Sequence, residues 1–190
     1  MCEQLIKHIR NFITLSNEDA DLISSRITLQ KLKKKDFAIT PGKYCKANYF
    51  VVSGLMRLYF ISKKEIEQIT QFAIENWWIT DYDSIESKQP SHFYIQAVED
   101  TQLLVLDQQT EAELVTQIPA FGHYLRIVLQ KAFTAAQRRV EMIHNMTDEE
   151  RYRNFSTRFP DFNQRVPQYM VASFLGITPQ FISRIRAKKG

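Results

Sequence analysis

The stretch Pro167-Gln168-Tyr169-Met170-Val171-Ala172-Ser173-Phe174-Leu175-Gly176-Ile177-Thr178-Pro179-Gln180-Phe181-Ile182-Ser183-Arg184-Ile185-Arg186 decides how the C-terminal part of this chain folds. Pro167 suits a helix start, where its missing N–H costs nothing. Met170, Val171, Ala172, Phe174 and Leu175 carry that helix forward. Gly176 stops it, because only a residue without Cβ turns cheaply into the left-handed region. Ile177 anchors the turn, Thr178 offers a capping hydroxyl, and Pro179 opens a second helix through Phe181, Ile182 and Ile185. Val171, Leu175, Ile177, Ile182 and Ile185 form a shared apolar wedge, and Ala172 is small where the second helix crosses. The pattern predicts a helix-turn-helix.

The wedge leaves Thr178, Gln180, Ser183 and Arg184 pointing outward, with Arg186, Lys188 and Lys189 nearby and Gln168 at the start of the first helix. Polar side chains at the start of such a second helix reach base edges in a major groove, while flanking cations hold phosphates. An ordinary helical hairpin accounts for the wedge and the glycine but not for this basic face. The charge distribution agrees. Residues 1–137 hold 15 Lys and Arg against 16 Asp and Glu, whereas residues 138–190 hold 10 against 5. From Arg153 onward Asp161 is the one acid. A neutral body with a basic end is the footprint of a polyanion binder, although a merely solvated basic terminus gives the same balance.

Working backward, Thr147-Asp148-Glu149-Glu150 is a capping box that starts a helix with Tyr152, Phe155 and Phe159 on one face. Phe159-Pro160 ends it, and residues 161–166 read as a loop or short strand. Before it, Phe121, Leu125, Val128, Leu129, Ala132, Ala136, Val140 and Ile143 recur at steps of three and four on a helix of about 25 residues. Small Ala132, Ala135 and Ala136 permit close approach of a second copy, so Leu125, Val128, Leu129, Ala132 and Ala136 are candidate dimerisation residues, with burial inside one subunit as the alternative. From Ile27 to Leu106 the texture is β. Short runs at Phe37–Thr40, Tyr49–Val52, Leu55–Ile61, Gln68–Ile74, Phe93–Val98 and Leu103–Leu106 alternate with turn signals such as Pro41-Gly42 and Ser53-Gly54. Many short strands at near-regular spacing predict an antiparallel barrel or sandwich, best a jelly roll. Ser16-Asn17-Glu18-Asp19 starts a helix to about Arg26.

At this point the chain resembles the Crp/Fnr regulators. The residues that carry the resemblance are Val166-Pro167-Gln168, Ala172 to Pro179 and Ser183 to Arg186, together with Pro41-Gly42 and Tyr49 to Arg57 and the helix start at Glu149 to Tyr152. The resemblance implies an α+β fold: an N-terminal antiparallel β-roll with flanking helices, a long dimerisation helix and a C-terminal winged-helix-like helix-turn-helix domain. It implies a cyclic-nucleotide-binding-like sensor at residues 1–116, a dimerisation helix and linker at 117–146 and a DNA-binding domain at 147–190. It also implies a homodimer on a near-palindromic double-stranded operator, with recognition helices about 34 Å apart, and RNA polymerase as a further partner. Gln180 and Arg184 match positions that read bases, with Ser183 between them. Pro179 departs from relatives that carry arginine there, so base preference should differ.

The sensor half departs from the family in one respect. A cyclic-nucleotide site needs a glycine–glutamate turn and an arginine for the phosphate, and residues 75–92 hold neither glycine nor arginine. Asp81, Asp83 and Glu86 there would repel a phosphate, so no tight cAMP or cGMP binding by the usual contacts is expected. Trp77, Trp78, Asp81 and Tyr82 are the candidate effector pocket, with Tyr94 beside them; core filling of the roll is the plainer reading of the aromatics. The four histidines lack metal-ligand spacing, and two cysteines are too few for a cluster. No metal or cofactor is expected, with Cys45 left as a lone redox candidate. No nucleophile elbow, phosphate-cradling loop or zinc-binding pair supports an enzyme.

At 190 residues, 44% hydrophobic and 24% charged, the chain has ample material for a core. No run approaches the roughly 18 apolar residues of a membrane span, and Lys7, His8 and Arg10 interrupt any signal-peptide pattern. The expectation is a cytoplasmic, sequence-specific DNA-binding transcription regulator whose sensor domain lacks the usual cyclic-nucleotide phosphate-binding residues and has unknown or vestigial ligand specificity. The alternative is a ligand-binding or protein-interaction module whose C-terminal hairpin docks a protein.

Overall fold

The computed structural model describes residues 2–187. Two four-stranded antiparallel sheets face each other. One has the order β1 (Thr28–Leu32), β8 (Thr101–Asp107), β3 (Ala47–Ser53) and β6 (Trp78–Ile79). The other runs β2 (Phe37–Ile39), β7 (Tyr94–Ala97), β4 (Met56–Ile61) and β5 (Glu67–Ala73). Apart from the β4–β5 hairpin, consecutive strands fall in different sheets, in keeping with the jelly-roll arrangement expected from the strand pattern. Between the sheets lie Val51, Met56, Leu58, Ala73, Ile79, Ile95, Ala97 and Leu103. Alternation along each strand sends the intervening side chains outward, so each sheet has a second face to cover.

Helices cover both outer faces. Over the first sheet, α1 (Glu3–Arg10) and α2 (Asn17–Arg26) pack with α4 (Gln108–Gln117) and the first turns of α5 (Pro119–Asn145) against Phe50, Leu104 and Leu106. Ser16 caps α2 as expected, its hydroxyl accepting the Asp19 N–H at 3.0 Å. The helix α1 and the two-residue strand β6 were not legible in the sequence. Over the second sheet, Tyr59, Ile69 and Phe72 join a core built by α6 (Asp148–Arg158), α7 (Phe162–Arg165), α8 (Gln168–Leu175) and α9 (Pro179–Ala187).

Residues 161–166 correct the expected loop or short strand: Phe162 to Arg165 form one helical turn. Phe162 and Val166 are both buried in the same core, and the Val166 N–H donates to the Phe162 carbonyl at 2.8 Å, the i to i−4 bond of a helical turn. Among the described residues no strand follows Asp107.

The helix α5 spans 27 residues. Its first third is anchored, with Phe121 and Tyr124 fully buried and Leu125 and Val128 half-buried. Beyond Val128 one face is bare. Leu129 is 47% exposed, Phe133 63% and Val140 56%, and Ile143 and the alanines at 132 and 136 are exposed as well. The opposite face meets the C-terminal core through Met142 and Arg139. Arg151 closes the joint between α5 and α6, donating from Nη1 to the carbonyls of Ile143 and Met146 at 3.0 and 3.1 Å and pairing with Asp148.

Candidate nucleic-acid interface

The two C-terminal helices form as their sequence dictates. The Thr147 hydroxyl accepts the Glu150 N–H while the Glu150 carboxylate accepts the Thr147 N–H, the reciprocal pairing of a capping box. The backbone of Gly176 sits at φ 67°, in the left-handed region, and ends α8. The Thr178 hydroxyl then accepts the Phe181 N–H at 3.2 Å to start α9. Val171, Ala172, Leu175, Ile182 and Ile185 are buried together, so the apolar wedge holds α9 across α8.

That burial turns one face of α9 outward. Thr178, Gln180, Ser183, Arg184 and Arg186 are exposed, and Gln168 is half-buried at the first turn of α8. Gln168 donates from Nε2 to the Pro179 carbonyl at 2.6 Å and to the Ser183 hydroxyl at 2.7 Å. Arg184 lies over the Phe181 ring at 5.4 Å. Arg186 gives Nε to the Tyr152 hydroxyl at 2.7 Å, tying the end of α9 to α6. Lys188, the remaining predicted residue, lies outside the described residues.

Several contacts that the sequence did not reveal hold this unit on the roll. The Ile69 N–H on the edge strand β5 donates to the Ser173 hydroxyl at 3.0 Å, and that hydroxyl donates to the Glu67 carbonyl at 2.7 Å. Arg139 of α5 donates to the carbonyls of Ile69 and Phe174, at 3.1 and 2.8 Å. Arg165 bridges to Glu75, Glu99 and the Gly54 carbonyl. Burial works to raise the Glu75 pKa, but hydrogen bonds from Arg165 and from the Gly54 amide outweigh it and hold the carboxylate below its usual range. Gly54 is itself constrained: its φ is +95°, and a Cβ there would meet the Thr101 hydroxyl at 2.4 Å.

The four candidate effector residues have different surroundings. Trp77 packs on Phe159 of the C-terminal core, whereas Trp78 donates from Nε1 to the Tyr124 hydroxyl at 2.8 Å and packs on Phe50. Trp77 stays 41% exposed while Trp78 joins the core under the first sheet, so the two rings have different surroundings. Asp81 is buried and spent on structure. Its carboxylate caps the short helix α3 (Tyr82–Ser87) and accepts the Ser91 hydroxyl at 2.6 Å. The Tyr82 ring is exposed. The clefts along Arg10–Leu15 and beside Lys31–Lys33 and Asp100–Gln102 include none of the four. Cys45 is buried in the roll, its thiol 3.3 Å from the Thr80 hydroxyl. Among the described residues no three His, Cys, Asp or Glu side chains are grouped to hold a metal ion, and no helix is long and apolar enough to cross a membrane.

A roll, a long helix and a helix-turn-helix follow one another along the chain. Residues 29–117 match the cyclic nucleotide-binding domain family. The anaerobic regulatory protein of Haemophilus influenzae is 24% identical over 90% of this chain and 71% of its own length. Among solved structures, FixK2 from Bradyrhizobium japonicum superposes with a TM-score of 0.73 at 16% identity, covering 85% of this chain and 83% of that one. A Eubacterium rectale structure described as a Crp/Fnr-family transcriptional regulator superposes with a TM-score of 0.67 at 18% identity, covering 90% and 81%. The chain is thus similar to transcription regulators of this kind, and its roll has the fold of a cyclic nucleotide-binding domain.

Proposed function

We propose that this protein is a homodimeric, sequence-specific DNA-binding transcription regulator, not an enzyme, and that α9 is its recognition helix. The observation that carries the reading is the division of α9 into two faces. Ile182 and Ile185 are buried against α8 while Gln180, Ser183 and Arg184 are exposed on the side away from it. Those three side chains read base edges, and Gln168, Thr178, Arg186 and Lys188 support them through the backbone or phosphates. The regulatory relatives support the same function.

The division of labour follows residues 1–116 as sensor, 117–146 as dimerisation helix and 147–190 as DNA-binding domain. Two-fold pairing along α5 is supported by its bare stripe. Leu129, Phe133, Ala136, Val140 and Ile143 follow one another in alternating steps of four and three, the repeat of a coiled-coil seam. Leu125, Val128 and Ala132 flank it; Phe133, the most exposed apolar residue of the helix, was missing from the stripe read in the sequence. The sensor ignores cAMP, because residues 75–92 supply neither the glycine turn nor the arginine that its phosphate needs. RNA polymerase is the partner through which a bound dimer acts, and the cytoplasm is the compartment.

Selection of bound sequences from a random duplex pool, with and without cAMP, tests this. A palindromic motif enriched equally in both supports the whole reading. Enrichment only with cAMP refutes the account of the sensor. Absence of any motif, together with a flat dependence of duplex affinity on salt, refutes DNA binding, since each neutralised phosphate contributes a slope of about 0.9.

A further inference from the structure

We propose that Phe181 is a positioning residue whose ring holds the Arg184 guanidinium ready for a guanine and so sets how strongly one operator position is read. The inference rests on the DNA-reading function proposed above. Phe181 and Arg184 are three residues apart on α9, and helical side chains lean back toward the N-terminus, so the arginine stem lies over the preceding turn. Its Cζ is 5.4 Å from the centre of the Phe181 ring, within the roughly 6 Å over which a ring attracts a cation. The ring is itself held in place. The Phe181 N–H is shared between the hydroxyl and the carbonyl of Thr178, at 3.2 and 3.1 Å. The half-buried side chain packs against the core that contains Leu175 and Ile182.

What the ring leaves free matters as much as what it holds. Among the described residues no hydrogen bond or ion pair engages Arg184, whose side chain is exposed. A guanidinium carries five N–H donors, and a phenyl ring has no lone pair to take one. The donors therefore remain for the base, and guanine shows in the major groove the two acceptors, O6 and N7, that an arginine fills together. Arg186 differs, since its Nε is already given to the Tyr152 hydroxyl. A long side chain loses rotamer freedom when it is fixed at an interface, and ordering it beforehand lowers that cost. Phe181 supplies the ordering, acting on the base through Arg184 and touching no base itself.

Selection from a random duplex pool with wild type, Arg184→Ala, Phe181→Leu, Phe181→Tyr and the double variant of Phe181→Leu with Arg184→Ala tests the proposal. Arg184→Ala marks the base pair that the arginine reads. At that pair Phe181→Leu, which keeps an apolar side chain but no ring, lowers the preference for guanine about two- to fivefold and leaves the other positions unchanged. Phe181→Tyr keeps the ring and the wild-type preference. Without Arg184 the leucine substitution changes nothing at that pair, which a general loosening of the two helices would not produce. Unaltered guanine preference in Phe181→Leu or in Arg184→Ala overturns the positioning role, as does a uniform loss at all positions or a loss in Phe181→Tyr equal to that in Phe181→Leu. A shift that persists without Arg184 puts the ring on the DNA itself and overturns it too. A wild-type protein that enriches no motif overturns the DNA-reading function and this inference with it. Thermal unfolding identifies any variant that fails to fold, and Phe181→Met then takes the place of Phe181→Leu.

Discussion

The guanidinium of Arg165 holds the carboxylate of Glu75 with two hydrogen bonds of 3.0 and 2.9 Å, joining residues ninety positions apart in the chain. Glu99 and the Gly54 carbonyl accept from the same guanidinium, so one side chain of the C-terminal unit gathers three segments of the roll. Arg165→Ala removes this and leaves two partly buried carboxylates facing each other. Hydrogen bonds to charged groups contribute about 1.5–3 kcal/mol, and the expected loss of stability is about 2 kcal/mol on that scale. Chemical denaturation measures it. A loss indistinguishable from zero would mean that the bridge holds nothing that solvent does not replace.

Phe133→Asp places a charge in the middle of the bare stripe of α5. If α5 pairs as proposed, the wild type dimerises at micromolar concentrations and the variant should be monomeric there, because a buried carboxylate at a seam has no partner. Sedimentation equilibrium reads this directly. Affinity for a two-half-site duplex should fall about 100-fold or more as the second recognition helix is lost. A dimer that survives the substitution would move the interface off this face.

Arg184→Ala should flatten base preference at one position of each half-site, by about 1–3 kcal/mol if the lost contact is bidentate to guanine. The side chain is exposed and lies over Phe181, so thermal unfolding should be unchanged. Competition between single-base variants of the selected operator provides the measurement. Preserved discrimination would remove Arg184 from base reading.

His8 ties α1 to α5, its Nδ1 lying 2.8 Å from the Tyr124 hydroxyl, which already accepts the Trp78 N–H. Neutral His8 therefore accepts the tyrosine hydrogen. Burial, and then the nearby Lys131 charge, pull its pKa below the usual 6.5. With the folded value below the unfolded one, the unfolded chain binds the extra proton in that window. Stability is complete above about pH 6.5 and declines as the pH falls through the interval, levelling off below the folded pKa. His8→Gln keeps an acceptor and does not titrate. Wild type should lose melting temperature relative to His8→Gln between pH 7.5 and 5.5, and parallel curves would contradict the assignment.

Much of this molecule was legible because its determinants are local. The Ser16 cap, the Thr147–Glu150 box, the Gly176 stop and the Thr178 start each depend on residues within a few positions of one another, and each formed as read. Strand runs with branched and aromatic residues located six of the eight strands among the described residues. The two-residue β6 was too short to carry a period, and the strand at Thr28–Leu32 was only part of a general β texture. The outward face of α9 was legible too, since helical periodicity alone assigns sides once the wedge is known.

The sequence by itself thus determined the class of fold, the helix-turn-helix and the identity of its outward residues, through propensities, caps and periodicity that act over a turn or two of chain. The tertiary structure alone decided where that unit sits. Ser173 binds the edge of β5 more than one hundred residues away, and Arg165 finds Glu75 and Glu99 across the roll. It also gave Trp77 and Trp78 different neighbours and spent Asp81 on capping, which proximity in sequence had not indicated. The reason is physical: such pairings are chosen by which surfaces remain to be covered after the sheets close, and no local rule carries that information.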